Sequence, residues 1–238
     1  MIKCLFLVEG PYDKQRLSLL DSLFDSAQIE IIPFNCDMLT EKEYYENYRE
    51  SITQILSKEK TFSIDDFDYF IQVCDLDGCF IDDDKIIENK TISKIKYYND
   101  HIEAIDRELI ISRNHIKIKN IDELLKDNKI LLFYNSTNID HAFDNVQNLT
   151  NKQKRKMAID MYNKYKGNEK EFLIKLCNAN RLKFTDYKQS WIEIKNGLNS
   201  LLSNSNLIFF IERFKDYLKD EIKIEYMRLM RMVLDNGH

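Results

Sequence analysis

Three short segments hold the residues with which this chain could do chemistry. Glu9-Gly10-Pro11-Tyr12-Asp13 follows the apolar run Lys3–Val8. Asp75-Leu76-Asp77-Gly78 follows the run Phe67–Cys74. Asn135-Ser136-Thr137-Asn138-Ile139-Asp140-His141 follows Ile130–Tyr134. In each, carboxylates stand just past a stretch that reads as a buried strand. Asp75 and Asp77 are two residues apart, so in extended chain both face one side. Adjacent carboxylates repel unless a cation lies between them, and oxygen-only ligands suit Mg²⁺ or Mn²⁺ rather than Zn²⁺. Gly10 permits a sharp turn after Glu9 and leaves room for a phosphate.

The elements that must position these groups alternate. Lys3–Val8 is a continuous apolar run, as expected of a strand covered on both faces. Leu17, Leu20, Leu23 and Phe24 then recur at helical spacing. Ile29–Pro33 reads as a second strand closed by its proline. Thr40 and Glu43 form a capping box for a helix to about Ser57. Phe67–Cys74 and Ile130–Tyr134 are the third and fourth strands, and a helix is expected from Ile139. Strands alternating with helices imply a parallel sheet, whose ligands bind beyond the carboxyl ends of its strands. Between Ile81 and Asn128 the pattern is mixed, with a helix expected over roughly Asn99–Arg113. From Thr150 the pattern is helical throughout: Asn151–Tyr165 with Gly167 as its stop, then Glu169–Ala179, Asp186–Leu202 and Leu207–Leu234. The expected division is 1–149, an α/β catalytic domain, and 150–238, a helical C-terminal extension.

Composition narrows the classes. The chain has 238 residues, 44% of them hydrophobic, too many for a disordered chain. Only 5 Gly and 2 Pro argue against an all-β sandwich or barrel, which needs many tight turns. With 35 basic and 40 acidic residues, a net charge of −5 argues against coating nucleic acid by bulk charge. A nuclease stays open, because divalent ions supply positive charge locally. The five cysteines form no CxxC pair, which fits a reducing cytoplasm and no zinc site. No apolar run is long enough for a membrane helix.

Val8-Glu9-Gly10-x-x-Asp13 together with Val73-Cys74-Asp75-Leu76-Asp77, in that order and each after an apolar strand, resembles the Toprim domain. That domain is shared by topoisomerases, bacterial primases, small RNA-maturation nucleases and the OLD-type and RloB-like defence nucleases. The resemblance covers roughly residues 1–150. It implies a Rossmann-like, mostly parallel four-stranded sheet flanked by helices, and Mg²⁺- or Mn²⁺-dependent phosphodiester hydrolysis of nucleic acid. In that scheme Asp75 and Asp77 hold metal, and Glu9 binds metal too or acts as general acid/base. Asp13 and Asp140 are further candidate ligands; Asp140 stands where Glu is commoner in the OLD-type and RloB-like branches. Lys14 and His141 are candidate contacts to the scissile phosphate. Lys152, Lys154, Arg155 and Lys156 form a basic helix face that could track a phosphate backbone.

A topoisomerase needs further large domains and a primase a zinc module, so a compact endonuclease in phage defence is the expectation. The chain has no GxxxxGK[ST] loop, so an ABC-type ATPase would be a separate polypeptide. A homo-oligomer is the other expected assembly. Two alternatives stand beside it. Asp75-Leu76-Asp77-Gly78 also looks like the nucleophile motif of haloacid-dehalogenase phosphohydrolases. The other alternative is a non-cleaving, Toprim-derived binding or regulatory module of an ATPase complex.

Overall fold

The apolar run at the start of the chain becomes β1 (Ile2–Val8), whose Cys4–Val8 side chains are all buried. Gly10 then caps α1 (Pro11–Leu17), with Pro11 at its first position where a missing N–H costs nothing. A 3₁₀ turn, Ser18–Leu23, leads to β2 (Ile29–Asn35). Next come α2 (Tyr48–Glu59) and β3 (Tyr69–Asp75). The computed structural model describes residues 1–37, 39, 48–59, 62–126 and 130–235. Thr40 and Glu43 lie outside them, and so does the expected capping box.

Three short strands follow: β4 (Ile86–Glu88), β5 (Lys96–Tyr97) and β6 (Ile102–Ala104). They form a separate sheet of order β4-β6-β5 with its own small core around Ile86, Ile102 and Leu201. The helix expected over Asn99–Arg113 is therefore only half present. Its first residues belong to β6, and α3 runs Arg107–Lys126. β7 (Ile130–Asn135) and α4 (Ile139–Asp144) complete the first part.

β1, β2, β3 and β7 form one four-stranded, all-parallel sheet of order β2-β1-β3-β7 flanked by helices, a Rossmann-like α/β architecture. Pro33 does not end β2 but pairs with Phe6 inside it. The strand lies at the sheet's edge, where a proline costs no ladder bond.

The remaining helices are α5 (Asn151–Tyr165), α6 (Glu169–Ala179), α7 (Tyr187–Glu193), α8 (Ile208–Arg213) and α9 (Asp220–Asp235). Thr150 and Gln153 make a capping box for α5, and Gly167 at φ +80° closes it. The expected helix Asp186–Leu202 stops at Glu193; Gly197 at φ +54° turns the chain first.

The helices after residue 150 share the sheet's core. The Phe210 ring lies 5.3 Å from Phe6, 5.7 Å from Phe24 and 5.9 Å from Phe133. The segment Ser203–Asn206, polar throughout, is buried against β7. Ser136 N donates to Asn204 O (2.9 Å), Tyr134 N to Asn206 Oδ1 (2.7 Å) and Asn206 N to Tyr134 O (3.2 Å). These bonds satisfy backbone groups that an uncovered sheet edge would leave open.

Candidate active site

Because the four strands are parallel, their carboxyl ends share one edge. Val8 pairs with Val73, and Asp75 with Asn135. That register sets Glu9 beside the end of β3, where Glu9 Oε1 accepts the Asp75 backbone N–H at 3.0 Å. Asn135 Nδ2 donates to Asp75 Oδ1 at 3.1 Å from the other side.

Asp13 completes this cluster from the first turn of α1. Its carboxylate folds back on Gly10, whose N–H it accepts; a Cβ at Gly10 would stand 3.1 Å from Asp13 Oδ2. Burial pushes the Asp13 carboxyl up to about 6, against the pull of Arg16 and Lys154. Burial also raises Asp75 well above the usual carboxylate range, with the charges of Asp13, Glu9 and Asp77 adding in that order. Glu9 is pushed up to about 8 by burial; Lys117 opposes the rise, and Asp37 and Asp77 add to it.

Asp77 behaves differently from its neighbour. The strand ends at Asp75, so the alternation that would put both carboxylates on one side does not reach Asp77. It sits at φ +53° in the turn, a left-handed conformation that Asp tolerates better than most residues. Its N–H donates to Thr137 O at 3.1 Å. Both carboxylate oxygens are engaged: Tyr97 Oη donates to Oδ1 (3.0 Å) and Lys117 Nζ to Oδ2 (2.9 Å). Arg113 Nη1 stands 3.9 Å from Oδ2. Burial would raise this acid, but Lys117, then Arg113, and the bonds from Lys117 and Tyr97 hold it below the usual range.

Lys117 is the group that motif reading missed. It is wholly buried, donates to the Asp75 carbonyl at 2.6 Å as well as to Asp77, and lies 3.9 Å from Glu9 Oε1. Burial works against its charge, yet Asp77, Glu9 and Asp37 hold it protonated. The signal was there in α3. Ile110, Asn114, Lys117, Ile121 and Leu124 fall on one buried stripe, and a lysine inside such a stripe demands an anionic partner.

Among the other expected site residues, Asp140 adjoins the cluster: it shares Arg16 with Asp13, and its charge raises Asp13. Asp140, 2% exposed, pairs with the buried Arg16 guanidinium, which also lies 4.0 Å from Asp13. His141 is buried, with Nδ1 2.6 Å from Thr137 Oγ1. Burial, and then Arg181, lower its pKa to about 4, so it is neutral at neutral pH. Lys14 is exposed, its Nζ 5.7 Å over the Phe34 ring. On α5, Lys152, Arg155 and Lys156 are exposed, whereas Lys154 is half-buried and its charge reaches Asp13.

Among the described residues, no three His, Cys, Asp or Glu side chains form a ready-made metal cage. Magnesium seldom uses one: it keeps several waters and takes one or two carboxylates plus substrate phosphates. Asp75 and Asp13 meet that requirement with oxygen donors. Beside Asp75 the buried Asn135 Oδ1 has no hydrogen-bond partner among the described residues, and neither do Nε and Nη1 of Arg16. Oxygen donors of this kind are the type a hard divalent cation takes, although Arg16 already stands 4.0 Å from Asp13. No disulfide links the five cysteines, and no helix among the described residues is long and apolar enough to cross a membrane. Comparison with protein-family models, with curated proteins and with solved structures finds no match.

Proposed function

We propose that the chain is a Toprim-type, Mg²⁺- or Mn²⁺-dependent endonuclease that hydrolyses phosphodiester bonds in DNA or RNA. One observation carries the reading: Glu9 and Asp13 from one segment and Asp75 from another, 62 or more residues on, act on one another at one carboxyl edge of a parallel sheet. The carboxyl groups are raised there because burial and mutual repulsion exceed the positive charge that the chain supplies. A bound divalent ion supplies the missing charge and polarises the phosphoryl oxygens.

The chain's own residues do the rest. Asp75 and Asp13 hold the ion. Glu9, whose pKa of about 8 lets it carry a proton near neutrality, serves as general acid/base. Lys117 and Asp77 fix the turn after β3. Lys152, Arg155 and Lys156 on α5 meet backbone phosphates beside the edge, since α5 packs on α1. A defence role and a separate ABC-type ATPase partner belong to the same proposal; the Toprim resemblance suggests them.

The test is cleavage of mixed linear and circular DNA and RNA with Mg²⁺ or Mn²⁺. Cutting that falls at least ~100-fold in Asp75→Asn supports the reading, a loss in the range set by removing a group that stabilises transition-state charge. Absence of cutting by the parent in either metal, alone and with candidate ATPases, removes the nuclease reading and leaves the regulatory module.

A further inference from the structure

Helix α9 (Asp220–Asp235) buries one face and leaves another bare. Ile222 and Tyr226 are each 1% exposed and belong to the core, and Leu229 and Met230 pack against it. Ile224 and Met227 lie on the outward side, 72% and 45% exposed, in an open groove that Arg228 and Arg231 also line. Neither joins the core. Apolar side chains that face water together, rimmed by charge, mark a contact surface.

The charges along the helix identify what covers it. Asp220, Ile224, Met227 and Arg231 recur at i, i+4, i+7 and i+11, so they form one stripe. Exposed acids, Asp220 and Glu221, stand at its N-terminal end, and exposed Arg228 and Arg231 at its C-terminal end. Arg228 Nε bonds Glu225 in its own helix at 2.9 Å, whereas Asp220 and Arg231 have no ion-pair partner among the described residues. The stripe is its own complement. Asp220 and Arg231 lie equally far from the midpoint between residues 225 and 226, and so do Ile224 and Met227. An antiparallel copy therefore sets Asp220 against Arg231 at both ends and Ile224 against Met227 in the middle. Lys223 and Arg228 fall on opposite flanks of the stripe, so they do not meet across it. A parallel copy would oppose like charges at both ends.

We infer that α9 docks on the α9 of a second copy of this chain, antiparallel, in a two-fold symmetric homodimer. The inference is independent of the nuclease reading. One helix face is smaller than a standard interface, so the dimer is weak, with a Kd on the order of 10 µM.

Sedimentation equilibrium of the full chain, over ~1–200 µM, tests it. The parent is expected to show a monomer–dimer equilibrium. Asp220→Arg and Arg231→Asp, each alone, should weaken it by ~10-fold or more, because like charges then meet at both ends. Mixed in equal amounts, the two variants should form a heterodimer within ~3-fold of the parent's Kd, since every end is again paired opposite in sign. Ile224→Asp should remove the dimer, and Ile192→Asp, exposed on α7, should leave it unchanged. Circular dichroism checks folding; should either charge variant fail to fold, the parent and Ile224→Asp still decide. A parent that stays monomeric throughout, even one whose α9 face takes another partner, overturns the inference. So does a dimer that survives Ile224→Asp, or a mixture of the two charge variants that fails to associate.

Discussion

Lowering the pH tests whether His141 is a buried neutral base or a cation available to phosphate. Its pKa is lowered to about 4 by burial, with Arg181 adding, from an unfolded value near ~6.5. Between those values the unfolded chain binds the proton and the folded chain does not, so stability falls as pH falls. The stabilisation is complete above ~6.5 and lost on the way down through 4. Linkage gives a loss of about 2 kcal/mol at pH 5 and about 3 kcal/mol at pH 4 for this one group. Other groups titrate in the same range, Asp13 with the opposite sign, so the measurement is a difference. Urea unfolding of the parent and of His141→Gln at pH 7.5 and pH 5 gives four stabilities. The parent's advantage over the variant should shrink by about 2 kcal/mol at the lower pH. A gap that stays constant, or widens, refutes the reasoning. It would mean that His141 is charged in the fold and could serve the phosphate role expected from its position in the sequence.

Glu9→Gln in metal-free protein should stabilise the fold. A carboxyl raised from about 4.5 to about 8 gives stability that is complete below 4.5 and lost as pH rises through 8, so the gain at pH 7 is up to about 3 kcal/mol and vanishes near pH 4.5; urea melts in chelator at both pH values check it. Phe210→Ala should cost about 3–5 kcal/mol in one cooperative unfolding transition, because its ring joins the helices after residue 150 to the sheet core. Two separate transitions in calorimetry would instead divide the chain near residue 150. Gly78→Ala should lower stability by more than 1 kcal/mol, since φ is +66° and the new Cβ would stand 2.5 Å from Leu201 Cδ2; a melt equal to the parent's would contradict the close approach.

The sheet and the edge were legible because they rest on long signals. β1, β3 and β7 are mostly apolar runs, and a carboxylate just past such a run falls at the carboxyl edge of a parallel sheet. α5 and α6 were legible to the residue, with Gly167 marking the stop between them. β4, β5 and β6 were not, because strands of two or three residues are too short to display a period. Ser203–Asn206 was illegible for another reason. Its polarity reads as a surface loop, yet it is buried because the edge of β7 needs hydrogen-bond partners. Asp77 shows where a local rule ends: two-residue alternation holds inside a strand and fails one step past it.

The charges at the edge argue for a ligand more strongly than the motifs do. Asp140 and Asp77 each pair with a buried cation, Arg16 and Lys117, and the same two cations stand 4.0 Å from Asp13 and 3.9 Å from Glu9. Asp75, Asp13 and Glu9 are raised, so the fold keeps these acids where ionising them costs stability. An amide at Asp75 or Asp13 would remove the cost of ionising them, so packing alone does not call for carboxylates there. A site that recruited a cation, as proposed above, would gain, because a crowd of raised carboxylates would attract it. The net charge of −5 then poses no obstacle to a nucleic-acid substrate. Attraction would come from the divalent ion and the exposed cations of α5, so binding should depend on divalent metal far more than on the chain's bulk charge.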